Sequence, residues 1–270
     1  MTTQSTSPEL PDVMRGRRQL CSGDSFCFDC RKDLPCFTRC CADVNILLTP
    51  IDVLQLARRT GLSTTEFLER HTLKPITKEL HLPVVMLRLT DDTKRCPFVS
   101  DSGCTVYEHR PWACRMYPVG MGLPPQRAGE EPEPVYFLFE DDYCDGHRQA
   151  RQWTVGAYRA DQGVPAREAL ENGFRELVSH PWFIGGTRQL DVRHIEMFFT
   201  AMYDLDKFRE FIFESSFVHR FKLEPELVEQ LRSDDEALLR FGYRWLRFAL
   251  FREPTMMLRA EAAAALETRP

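Results

Sequence analysis

Every cysteine of this chain lies between Cys21 and Cys144, and the last 126 of its 270 residues contain none. That distribution constrains the fold more than any other feature. Ten thiols crowded into one half must be cross-linked, bound to metal or buried as small apolar groups, and each choice dictates a different architecture. At 270 residues the chain can bury a substantial core and has no need of cysteine staples. The N-terminal stretch MTTQSTSPELPDVMRGRRQL has no apolar segment of signal-peptide type. The expectation is therefore a cytoplasmic protein with reduced thiols, in which clustered cysteines serve as metal ligands or reactive groups.

The thiols fall into three blocks. CRKDLPCFTRCC supplies Cys30, Cys36, Cys40 and Cys41; CPFVSDSGCTVYEHRPWACRMYP supplies Cys96, Cys104 and Cys114; YCDGH supplies Cys144. Eight thiols suffice for two four-thiolate shells, or for one with reserves. Zinc and iron–sulfur clusters both favour soft sulfur donors in fours. The gap of 55 positions between Cys41 and Cys96 means that such a centre would tie distant segments together as part of folding.

Simple zinc fingers are disfavoured, because Cys27 and Cys30 form a CxxC with no second knuckle to match. The radical S-adenosylmethionine signature is broken: Cys36 and Cys40 are spaced CxxxC, but position 43 is Asp. The adjacent Cys40 and Cys41 raise a geometric question, since neighbouring side chains in extended backbone point to opposite faces. They serve different metals, or one ligates while the other packs. His109 and His147 are further possible nitrogen ligands. Arg110 and Arg115 flank Cys114, where cations would offset thiolate charge.

The closely spaced cysteines ending in CC, the CPF at Cys96, and the stretch containing Cys104, Val106, Tyr107, Arg110, Pro111, Cys114, Arg115, Tyr117 and Pro118, followed by Cys144, resemble the YkgJ-like cysteine-cluster family of zinc- or iron-chelating domains. The resemblance covers about Cys30 to Cys144. The first block departs from the usual CxxCxxCC, being stretched to C-x5-C-x3-CC. The resemblance implies metal chelation by Cys30, Cys36, Cys40, Cys41, Cys96, Cys104, Cys114 and Cys144, surrounded by Arg110, Arg115, Tyr107 and Tyr117. It implies an iron–sulfur cluster or zinc without choosing between them. Related cysteine clusters occur in a bacterial flagellin lysine methylase, and the helical C-terminal part resembles extensions on some bacterial members.

The fold expected is α+β and mainly α: a small Cys-rich domain with short helices and a few strands, then a helical domain. The expected divisions are a disordered leader over 1–20, with Arg15, Arg17 and Arg18 solvated, a cysteine-cluster domain over 21–150 and a helical domain over 151–270. Thr49 can cap a helix with Pro50 at its first position, ending near Gly61. Ser63 and Glu66 form a capping box for a helix from Thr64 to about Arg70. LPVVMLRLT and VYFLFE read as strands, separated by a loop marked by Pro118, Pro124, Pro125, Pro132 and Pro134. Further on, DLDKFREFIFESSFVHRF has helical periodicity through Phe208, Phe211, Ile212 and Ser215. Ser233 with Glu236 reads as another capping box, ahead of a stripe of Leu238, Phe241, Trp245, Phe248 and Ala249.

A net charge of -5 argues against a general nucleic-acid binder, and no apolar stretch approaches the roughly 20 residues of a membrane span. HExxH, GxSxG and Walker A motifs are absent from the sequence, so whether the protein is an enzyme stays open. Three readings follow: a cytosolic metal-binding protein with the helical region as scaffold or dock for a protein partner; a metal-dependent enzyme of redox or group-transfer type, such as protein methylation; and a thiol-based metal chaperone or redox sensor.

Overall fold

A computed structural model describes residues 16–76, 82–122, 133–183 and 190–262. The cysteine-bearing half is built of short strands and helices. Strand β1 (Arg18–Leu20) pairs antiparallel with β9 (Val135–Leu138), which also pairs with β8 (Val119–Gly122). A second ribbon joins β2 (Ser25–Cys27) to β10 (Gln152–Thr154), and a third sheet runs β3 (Leu47–Leu48), β5 (Val85–Leu87), β4 (Thr72–Leu73). A small hairpin links β6 (Val99–Ser100) to β7 (Gly103–Cys104).

Helix α1 (Pro50–Thr60) has the expected N-terminus. Thr49 Oγ1 accepts from Asp52 N, Asp52 answers at Thr49 N, and Gly61 ends the helix at φ 69°, a left-handed conformation that glycine adopts without a Cβ penalty. Helix α2 (Thr64–His71) carries the expected Ser63 and Glu66 box. The short α3 (Trp112–Met116) bears Cys114. The rest is helical: α4 (Val155–Asp161), α5 (Val164–Val178), α6 (Val192–Met202), α7 (Leu205–Glu214), α8 (Phe217–Arg220), α9 (Pro225–Ser233) and α10 (Asp235–Phe251). Among the described residues, no helix is long and apolar enough to cross a membrane.

Two hydrophobic clusters hold these elements. The larger joins α1 and α2, through Leu54, Leu56, Phe67 and Leu68, to the buried faces of α5, α6, α7 and α10, including Leu177, Phe198, Phe208 and Leu246. The smaller gathers Leu20, Phe26, Phe28, Met116, Val119, Tyr136, Leu138 and Cys144 with Val155, Tyr158 and Val164. Residues on both sides of position 150 contribute to each. The cysteine loops are thus sandwiched by apolar packing rather than suspended from it.

Several expectations need correction. The leader is ordered by residue 18: Leu20 is buried and Arg18–Leu20 pairs with Tyr136–Leu138. Arg17 lies over the Phe139 ring at 4.2 Å and 4.0 Å from Asp141, and Arg18 donates to Ser25 O at 2.9 Å. Arg15 falls outside the described residues, as do Pro124, Pro125 and Pro132 of the proline loop. The strand read from LPVVMLRLT shortens to Val85–Leu87. The helix around Phe208 breaks at Ser215, whose hydroxyl donates to Phe211 O and accepts from Phe217 N, so Phe211 stays exposed. Ser233 closes α9 instead of opening α10. The cap is Asp234, whose side chain accepts from the N–H groups of Glu236 and Ala237.

Candidate metal centre

The first cysteine block is wound into consecutive tight turns, with Leu34 N on Arg31 O, Phe37 N on Leu34 O, Arg39 N on Cys36 O and Cys41 N on Thr38 O. Thr38 takes φ 65° to allow this. The start of the block is pinned to the segment after Cys144. Phe28 N donates to Arg151 O at 2.9 Å and Asp29 N to Gly146 O at 3.0 Å. The approach requires glycine, because a Cβ at Gly146 would stand 2.8 Å from the Phe28 ring. Asp145 N then donates to Cys36 Sγ at 3.2 Å. Cys30, Cys36 and Cys144 are thereby gathered. Burial, reinforced by Cys144 and Cys36, pushes the Cys30 thiol up to about 11. The Tyr117 hydroxyl meets both Cys144 and Asp141, and burial raises its pKa.

The second block is joined to the end of the first. Cys96 N donates to Cys41 O at 2.7 Å, next to a bridge between Ala42 and Arg95. The β6–β7 hairpin then turns Cys104 back toward Cys96. The backbone N–H groups two residues ahead, those of Phe98 and Val106, act on the Cys96 and Cys104 sulfurs to lower their pKa values. Hydrogen bonds of this kind favour thiolate over thiol. Burial nevertheless raises both pKa values, that of Cys96 to about 11. Cys114 is raised most by burial, then by Cys96 and Asp52.

Cys40 and Cys41 meet in one helical turn, Arg39–Cys41. The two thiols act on each other, raising Cys40 and lowering Cys41; burial works against the Cys41 shift and Arg95 supports it. The Cys41 thiol is thereby lowered to about 7.

Two guanidiniums border the second block. Arg110 donates to Tyr107 O at 2.7 Å and Gln162 Oε1 at 2.6 Å, and lies 3.9 Å over the Tyr107 ring. Arg115 bonds to the carbonyls of Arg110, Gln162 and Glu108. Their hydrogen-bond partners carry no charge, so their own charge remains available, and that of Arg110 lowers the Cys104 pKa.

Asp52 links this region to the bundle. Fully buried, it accepts from Thr49 N and Trp112 N, each at 3.0 Å, and from the Arg167 guanidinium. Arg167 also stands 3.5 Å from Glu171. The α1 capping residue therefore fixes the start of the helix that carries Cys114. The Asp52 partners Trp112 and Arg167 lie 60 and 115 positions away, and nothing local signals them.

The structure thus carries the eight cysteines of the three blocks on loops hydrogen-bonded to one another. Cys21 remains outside, in a turn with Asp24, and Cys27 lies in the β2–β10 ribbon. His109 lines a cleft of about 410 Å³ with Arg58, Arg115 and Arg167. His147 packs 5.3 Å from Phe28 with both ring nitrogens buried and without hydrogen-bond partners. Among the described residues, no three Cys, His, Asp or Glu side chains converge closely enough to hold a metal ion. The donors fit a thiophilic metal in chemistry, and their side chains have to draw together to close on one.

An array of neighbouring thiols, carried on hydrogen-bonded loops and braced by helices, is the construction of a cysteine-cluster domain. Residues 29–145 match the model of the CxxCxxCC family, described as "Putative zinc- or iron-chelating domain". The helices beyond residue 145 lie outside the match. No curated protein and no solved structure matches the chain.

Proposed function

We propose that the chain is a metal-binding protein of a reducing compartment, whose cysteines Cys30, Cys36, Cys40, Cys41, Cys96, Cys104, Cys114 and Cys144 chelate zinc or an iron–sulfur cluster. The observation that carries this reading is the placing of eight thiols from three separate segments on loops tied together by backbone hydrogen bonds, one of them Asp145 N to Cys36 Sγ. Eight neighbouring thiols, two of them buried and five half-buried, repel one another on ionising, and the arrangement makes sense when a cation takes their protons' place. Arg110 and Arg115 offset the negative charge of thiolates around a divalent centre, while Tyr107 holds Arg110 and Tyr117 faces Cys144. When bound, the metal supplies a cross-link between loops, and an iron–sulfur cluster would add electron transfer.

Burial of Cys36 and Cys144 favours a resident centre over a chaperone, which hands its metal on through exposed thiols. The helical region serves as scaffold, with its remaining surface available to a protein partner. The test is metal and acid-labile sulfide analysis of anaerobically purified protein. Iron with matching sulfide supports a cluster and stoichiometric zinc supports the alternative. Protein that takes up neither, even when supplied with both metals and sulfide, overturns the reading.

A further inference from the structure

We infer that the eight thiols serve two separate centres, divided at the Cys40–Cys41 peptide: Cys41, Cys96, Cys104 and Cys114 hold one thiophilic ion or cluster, and Cys30, Cys36, Cys40 and Cys144 hold the other. This rests on the metal-binding reading and adds to it the number of centres and the membership of each.

Backbone geometry draws the division. On one side, Cys96 N reaches Cys41 O at 2.7 Å, the β6–β7 hairpin pairs Cys104 with Val99, and Asp52 holds the first amide of the helix bearing Cys114. Cys114 accordingly has Cys96, Cys41 and Cys104 among its thiol neighbours, with Cys40 also in range across the seam. On the other side, Asp145 N reaches Cys36 Sγ at 3.2 Å and Asp29 N reaches Gly146 O at 3.0 Å. Cys30 accordingly has Cys144 and Cys36 as its foremost thiol neighbours, with Cys41 behind them. No backbone hydrogen bond links the Cys144 segment to the β6–β7 hairpin among the described residues.

Cys40 and Cys41 occupy the seam. In the 3-10 turn Arg39–Cys41, successive side chains diverge by about 120°, which suits two neighbouring centres better than two bonds to one ion. With Cys41 tied to the Cys96 side through its carbonyl, the diverging Cys40 is left to the Cys144 side. The surroundings differ as well. Arg110 and Arg115 border the Cys104 and Cys114 set together with buried Asp52, whereas the other set is bordered by Asp29 and Asp145, each paired with an arginine.

The test counts metal in the anaerobically reconstituted full chain. Cys104→Ser and Cys30→Ser, at the more accessible position of each set, should each remove about half of the wild-type metal. Cys96→Ser with Cys104→Ser should remove no more than either alone, and Cys30→Ser with Cys104→Ser nearly all. X-ray absorption of each single variant should still show a four-sulfur shell around the metal that remains. Circular dichroism verifies the fold, and Cys144→Ser and Cys96→Ser substitute for any variant that fails it. Wild-type protein that holds metal, while one substitution in either set empties it or leaves it full, overturns the division and leaves the metal-binding reading standing. Wild-type protein that holds none overturns both.

Discussion

Asp52, Arg167 and Glu171 form a buried triad with one cation and two carboxylates. Asp52 takes the closer guanidinium contact as well as two backbone N–H bonds, and Glu171 is left as the group that keeps a proton. Burial, together with the Asp52 charge, pushes the Glu171 carboxyl up to about 7, from 4.5. The stability it contributes is complete below pH 4.5 and is lost as pH rises through about 7. Glu171→Gln retains an acceptor for Thr49 Oγ1 and carries no charge. Relative to wild type, the variant should gain stability between pH 5 and pH 8, by up to about 3 kcal/mol. Urea midpoints at the two pH values measure this, and parallel curves for the two proteins would refute it. Asp52→Ala strands the Arg167 charge and two amides. A loss of about 3–5 kcal/mol is expected, read from the same urea titration, with depleted metal in whatever fraction still folds.

Gly242 in α10 faces the backbone of α6, where an added Cβ would stand 2.7 Å from the Ala201 carbonyl oxygen. In an open helix Gly→Ala gains about 1 kcal/mol of propensity. Here the obstacle is backbone, which cannot swing aside, so Gly242→Ala should destabilise by about 1–3 kcal/mol, measured by thermal melting. A rise in melting temperature would show that the helices can part at little cost. Contacts of this kind also show where sequence reading stops. The starts of α1 and α2 were legible because Thr49, Pro50, Ser63 and Glu66 act on amides within three residues. The start of α10 was misplaced by one residue because Ser233 and Asp234 are both competent caps, and the carboxylate prevailed. The β1–β9 pairing was missed because a three-residue strand has too short a pattern to register. At the candidate site, eight cysteines and two arginines were legible from spacing and charge, whereas the N–H donors to sulfur and the Asp52 bridge depend on the folded path.

Across the whole molecule, the thiol loops have little apolar packing of their own and lean on two clusters that continue into the helices. A metal bound only by the folded arrangement stabilises it by mass action, by RT ln(1 + [L]/Kd), or about 2.7 kcal/mol when free metal is a hundred times the dissociation constant. Calorimetry of metal-loaded and chelator-stripped protein should show one transition moving to lower temperature on stripping. If the loaded and stripped bundles melt at the same temperature, the loops and helices are energetically independent.

The single carboxylate of Asp52 sets the direction of that coupling. Because it touches both the cap of α1 and the amide ahead of Cys114, the metal loops and the helices share one hinge pin. Heat that melts the bundle would spill the metal at the same moment, so metal release becomes a thermometer for helices that never touch it.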